Sequence, residues 1–248
     1  MSMKRLLILV VGLFVLSACA YSIPVLVSPP QASPQKQAPL QFVNHVQLGM
    51  AEQDVYVETE NGQVRRINAS EAEAYQDAPT FGTDIAVKHD PFGLEPELMD
   101  PFAKGVDLGF TMSEWLAGTG SGTYTVYDEK TMLDLSFEKL VPNGVYTLWC
   151  VTITAPPSFR IVDVACGNPY GVENTVIADA DGNAQVRLAT TTMPDAGEGF
   201  MPAVVLAYHS DGNVYDEYPG DFGLNSHVQI LAFVPAPGDA AWQDLSGQ

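Results

Sequence analysis

Between residues 130 and 154 the chain alternates apolar and polar positions with a period of two. Leu133, Leu135 and Phe137 mark one run, Pro142, Asn143 and Gly144 a turn, and Val145, Thr147, Trp149, Val151 and Ile153 the next run. Period two with β-branched and aromatic residues predicts strands whose two faces see different surroundings. The second run also carries Leu148 and Cys150 on its other face, so it is expected in the centre of a sheet rather than at an edge.

Similar runs recur at about 159–165, 173–178, 184–190, 203–209 and 226–234, separated by turn formers such as DADG at 179–182 and SDGN at 210–213. Seven or so short strands with Gly, Asn and Asp punctuation predict an all-β fold, an Ig-like antiparallel β-sandwich over 106–236. No long helical periodicity supports a parallel α/β fold with crossover helices. Residues 42–105 are harder to read and predict an irregular N-terminal arm. Within it, short extended pieces are expected near 55–58 and 63–67 around the Asn61-Gly62 turn, and a brief helix through Tyr75 capped by Ser70 and Glu73. Pro79, Pro91, Pro96 and Pro101 make 77–103 read as irregular, and 237–248 as a C-terminal tail.

The N-terminus has a different pattern. Lys4 and Arg5 precede an unbroken apolar run, Leu6–Leu16, followed by small residues, the layout of an export signal over 1–18. The run is short for a spanning helix, which needs about 20 residues. Leu16, Ser17, Ala18 and Cys19 resemble the lipobox of bacterial lipoproteins, and that resemblance implies cleavage before Cys19 and a diacylglycerol on its thiol. Two acyl chains suffice to hold a soluble domain at a membrane. Residues 19–41 carry five prolines from Pro24 to Pro39 and few charges, and read as an extended tether. The expected address is the bacterial cell envelope, outside the cytoplasm.

The formal charge is −19, and loss of Lys4 and Arg5 with the signal makes it −21. So acidic a body is repelled by nucleic acid, which excludes it as a partner. Cys150 and Cys166 remain after Cys19, and outside the cytoplasm their pairing as a disulfide is the simplest account.

The stretches TMSEWLAGTGSGTYTV at 111–126, LVPNGVYTLW at 140–149, IADADGNAQV at 177–186, AYHSDGNV at 207–214 and SHVQI at 226–230 resemble an uncharacterised family of secreted and lipid-anchored β-sandwich proteins. A looser resemblance, in histidines on sandwich strands, is to copper-zinc superoxide dismutase, although the dense histidine set of that family is missing.

Chemistry, if present, is expected where the last two runs form a hairpin. A register pairing Ala207 with Gln229 sets His209 opposite His227, near enough to share a divalent ion. Zinc or copper wants three or four ligands, so His45, Asp211, Asp216, Glu217 or Asp221 has to contribute. The competing account makes both histidines structural, holding the turn at YHSDG and the loop carbonyls. Asp179, Asp181 and Asn183 resemble the opening of an EF-hand calcium loop, but Thr190 stands where its bidentate Glu belongs, and Asp181-Gly182 is also a hairpin turn. No GxSxG elbow or phosphate loop appears, and no catalytic residue is assigned. The expected function is a lipid-anchored, non-catalytic binding or structural module whose partner is an extracellular protein or small ligand. A metal-handling or redox protein using His209 and His227, and a calcium-stabilised surface domain, remain as alternatives.

Overall fold

Alternation along the chain is realised as two antiparallel sheets packed face to face in a computed structural model, which describes residues 33–48, 55–84, 101–128, 130–154, 160–167, 173–191, 193, 200–214 and 224–234. The export signal, Cys19 and the C-terminal tail lie outside these residues. One sheet runs β1 (Lys36–Pro39), β7 (Thr119–Val126), β8 (Lys130–Glu138) and β12 (Ala184–Thr191). The other runs β10 (Arg160–Ala165), β9 (Val145–Thr154), β13 (Phe200–His209), β14 (Ser226–Phe233) and β2 (Gln41–Asn44), with β11 (Thr175–Ile177) also on β9. Tyr124, Leu133, Leu135 and Phe137 of the first sheet meet Leu148, Val204, Leu206 and Ile230 of the second in one buried cluster. The fold is thus the expected all-β, Ig-like antiparallel sandwich.

Strand β9 is central, as its two-sided apolar pattern requires, and Trp149 within it is buried. Its Cys150 is bridged to Cys166 just after β10, with an S–S distance of 2.05 Å and Cα atoms 5.1 Å apart. The bridge ties the end of β10 to the neighbour it already pairs with, where Val164 lies opposite Cys150.

The tether ends earlier than its prolines suggest. Residues 36–39, placed in it by composition, form β1 against β7, with Pro39 opposite Thr123 and the Lys36 ammonium 5.5 Å from the Tyr124 ring. Proline is tolerated there because β1 borders its sheet and needs no donor on the outer side. Gln41–Asn44 then crosses to the second sheet beside β14.

In the N-terminal arm, the two expected extended pieces are β3 (Tyr56–Glu58) and β4 (Gln63–Arg65), joined through Gly62 at φ +69°. They close into a small barrel with β5 (Pro79–Thr83) and β6 (Phe102–Thr111) around Tyr56, Val64, Phe81 and Phe102. Pro79, expected in an irregular stretch, opens β5, a position where proline costs little. The predicted helix through Tyr75 is only a 3₁₀ turn, Ala72–Tyr75, with no side-chain cap. Ser70 bonds instead to Asn68 Oδ1, and Glu71 is drawn to Arg65 at 2.8 Å, so no Ser70/Glu73 capping box forms. A capping box does occur at Thr111 and Glu114, at the start of α2 (Met112–Leu116). That helix carries Trp115, stacked on Phe110 with centroids 5.2 Å apart.

Candidate functional site

The β13–β14 hairpin starts in the expected register, Val204 opposite Ala232, Val205 opposite Leu231 and Leu206 opposite Ile230. It then slips by one residue. A bulge skips Gln229, so Ala207 faces Val228, Tyr208 faces His227 and His209 faces Ser226. Because successive side chains alternate across a strand, this slip puts His209 and His227 on opposite faces of the sheet rather than side by side. The predicted opposition of the two histidines is corrected here. The bulge also changes which face the strand presents: Ile230 and Ala232 enter the inter-sheet core, whereas Val228 joins the cluster of Trp149, Val205 and Leu231 on the other side.

His209 shares its face with Thr147 and Trp149 of β9. Trp149 Nε1 donates to Thr147 Oγ1 at 2.7 Å, and the same hydroxyl lies 2.7 Å from His209 Nε2. Burial lowers the His209 pKa to about 4, with Asp211 opposing that shift and His227 adding to it. The ring is therefore a neutral hydrogen-bonding post at neutral pH. His227, on the other face, has Nε2 3.0 Å from Ser210 Oγ and its ring 6.1 Å from Tyr208. Ser210 in turn closes the base of the 210–225 loop, its backbone N–H donating to Asn225 O at 2.9 Å.

The N-terminal arm reaches this hairpin at Gly82, and the His45–Leu48 helix of the arm also packs on β14. A Cβ placed on Gly82 of β5 would lie 3.2 Å from Leu224 O and 3.5 Å from His227 Cε1, so β5 runs in close contact with the hairpin end there. His45 is buried at the start of α1 (His45–Leu48), directly after Asn44, which pairs with Ile230 further along β14. Asp211 is exposed and accepts from Asn213 N–H at 3.0 Å, a local turn contact. Asp216, Glu217 and Asp221 lie outside the described residues. Among the described residues, no group of three or more His, Cys, Asp or Glu is placed to hold a metal ion.

The 179–183 turn uses its oxygens internally. Asp179 Oδ1 accepts from Asn183 N–H at 2.8 Å and Asp181 N–H at 2.9 Å, and these donors hold the Asp179 carboxyl below its ordinary pKa, the Asn183 bond most. Asp179 O accepts from Gly182 and Asn143 N–H groups, and Gly182 O from Leu140 N–H. A calcium ion needs six to eight oxygens turned inward. Here the carboxylate faces amide protons, and the carbonyls dock the turn onto the 140–144 loop. The geometry is that of a hairpin turn, with Gly182 at φ +78°.

One polar centre was not foreseen. The bulged Gln229 is fully buried, accepts from Tyr146 Oη at 3.0 Å and donates to Trp115 O at 2.9 Å. Tyr146 Oη also accepts from Val141 N–H at 2.8 Å, and Asn44 Nδ2 donates to Trp115 O at 3.2 Å. The available signal was a glutamine interrupting the apolar run SHVQILAF. This network joins α2, β2, β9 and β14 behind the loop base, and its groups satisfy one another.

No protein-family model matches the chain, and no curated protein matches it. Among solved structures it is similar to a Cu/Zn superoxide dismutase from Brucella abortus, at 14% identity over 47% of this chain and 88% of that one, with a TM-score of 0.30. The fold class rests on the sheets themselves.

Proposed function

We propose that the protein is a lipid-anchored extracytoplasmic module, non-catalytic, that presents the loops near 163–173 and 210–225 to an extracellular partner. The observation that carries this reading is the use made of the histidines. His209 and His227 are posts on opposite faces, bonded to Thr147 and Ser210, and they brace the strand ends from which the 210–225 loop departs. A braced base under a polar loop is the arrangement of a recognition surface on a rigid scaffold. The Cys150–Cys166 disulfide supports an oxidising compartment. No helix among the described residues is long and apolar enough to cross a membrane, and the anchor on this reading is the lipid on Cys19.

Palmitate labelling of cells expressing the full chain tests the address. Label is expected in the wild type and in the membrane fraction, and neither in Cys19→Ala. Equal labelling of both chains would contradict a lipid on that thiol.

A further inference from the structure

Strand β10 borders the second sheet, with β9 on one side and no strand on the other among the described residues. The direction of its free backbone groups follows from one bond. Cys166 N–H donates to Leu148 O at 3.0 Å, and the register runs on unbroken through Val164 opposite Cys150 and Val162 opposite Thr152. Antiparallel pairs bond at every second residue. Val162 and Val164 therefore spend their amides on β9, and the N–H and C=O groups of Ile161, Asp163 and Ala165 point outward.

The side chains along this edge are unusual for a soluble surface. Val162 is 40% exposed and Val164 50%; Ile177, at 67%, lies further along β9 on β11, opposite Val145. The only other exposed large hydrophobic residue among the described ones is Val106. Edge strands are ordinarily protected by charged side chains, proline or a bulge; RIVDVA has no proline and no bulge, and its two charged residues, Arg160 and Asp163, are of opposite sign.

We propose that β10 is a docking edge for an extended basic polypeptide strand of a partner protein, which bonds to the outward groups of Ile161, Asp163 and Ala165. Charge selects this occupant. Two copies of a chain at −19 repel one another, whereas a cationic strand is attracted. An edge of six residues is also short for a stable pairing of two folded copies, which buries about 1,200 Å² or more. Faces alternate along the edge: Val162 and Val164 share one with Cys150, and Asp163 lies on the other with Val151. A complementary strand accordingly alternates apolar residues beside the valines with lysine or arginine beside Asp163. The proposal rests on the reading of the protein as a binding module and names the partner class for the strand that leads into one of its two presented loops.

The test uses the full chain and two amidated heptapeptides of identical composition, one alternating lysine and valine, the other with the same residues in blocks, followed by fluorescence anisotropy. The alternating peptide is expected to bind at least about tenfold more tightly than the block peptide. Asp163→Pro removes an outward N–H that β9 does not use, so it should abolish that preference while leaving the thermal midpoint near the wild-type value. Asp163→Asn keeps the N–H and should lose only the salt-sensitive part of the affinity. Should Asp163→Pro fail to fold, hydrogen exchange on the wild type remains: the amides of Ile161, Asp163 and Ala165 are expected to slow when the alternating peptide is added. Equal binding of the two peptides, unchanged exchange at those amides, or an edge already closed by a second copy would overturn the proposal. None of these results affects palmitate labelling at Cys19, so a failure here is distinguishable from a failure of the membrane address.

Discussion

His209 shows how a conspicuous side chain can be held as a buried hydrogen-bonding post. Its folded pKa of about 4 lies below the ordinary value of 6.5, so the unfolded chain binds the extra proton first as pH falls. The stability it contributes is complete above about pH 6.5 and declines as pH drops toward 4, by roughly 2 kcal/mol at pH 5. Urea unfolding of the wild type and His209→Gln at pH 7.5 and pH 5 should show the gap between them narrowing by about that amount. An unchanged gap would mean that the ring is not buried neutral. Tyr146 is the second test at this scale. Tyr146→Phe strands the Val141 amide and one Gln229 lone pair, a loss of about 1–3 kcal/mol. Replacing Gln229 by Leu in the same chain should cost less than the sum of the two single changes, because the partners belong to one network.

Elements were legible where burial imposed a period. Leu133, Leu135 and Phe137 all turned inward, and Trp149 marked a central strand. The hairpin was readable only up to Leu206. A bulge adds one residue without changing composition, and with Val228 and Ile230 both apolar, nothing in SHVQILAF said that Gln229 would be skipped. Composition misled in the tether and the arm for a related reason. Pro39 and Pro79 sit at a sheet edge and at a strand start, the two places where a missing N–H is not needed. The signal for α2, Thr111 with Glu114 ahead of Trp115 and Leu116, was present and went unread because the flanking strands dominate the pattern. The disulfide belongs to this scale as well. Its residues are 16 apart, and opening it should lower stability by about 3 kcal/mol on the loop-entropy model. Calorimetry with and without dithiothreitol checks this, with Cys150→Ala/Cys166→Ala expected to be insensitive to the reductant.

At the scale of the whole molecule, the candidate site was legible in its parts and not in its assembly. The sequence supplied His209, His227, His45 and the Asp179 turn, but which of them meet depends on strand register and on how the N-terminal arm packs. The structure brings Gly82 against His227, and it binds the Asp179 carboxylate to amides. Among the described residues, His209, His227 and Asp179 are each engaged by neighbouring groups of the scaffold. On the proposed reading, recognition falls to the loops and to the β10 edge, on a body whose negative charge favours cationic partners.

The central claim, that His209 and His227 are structural posts, is tested most directly by elemental analysis of the full chain purified without chelator, alongside His209→Ala. The account predicts zinc and copper well below one per chain in both samples. Zinc or copper at one per chain in the wild type, lost in His209→Ala, would contradict it.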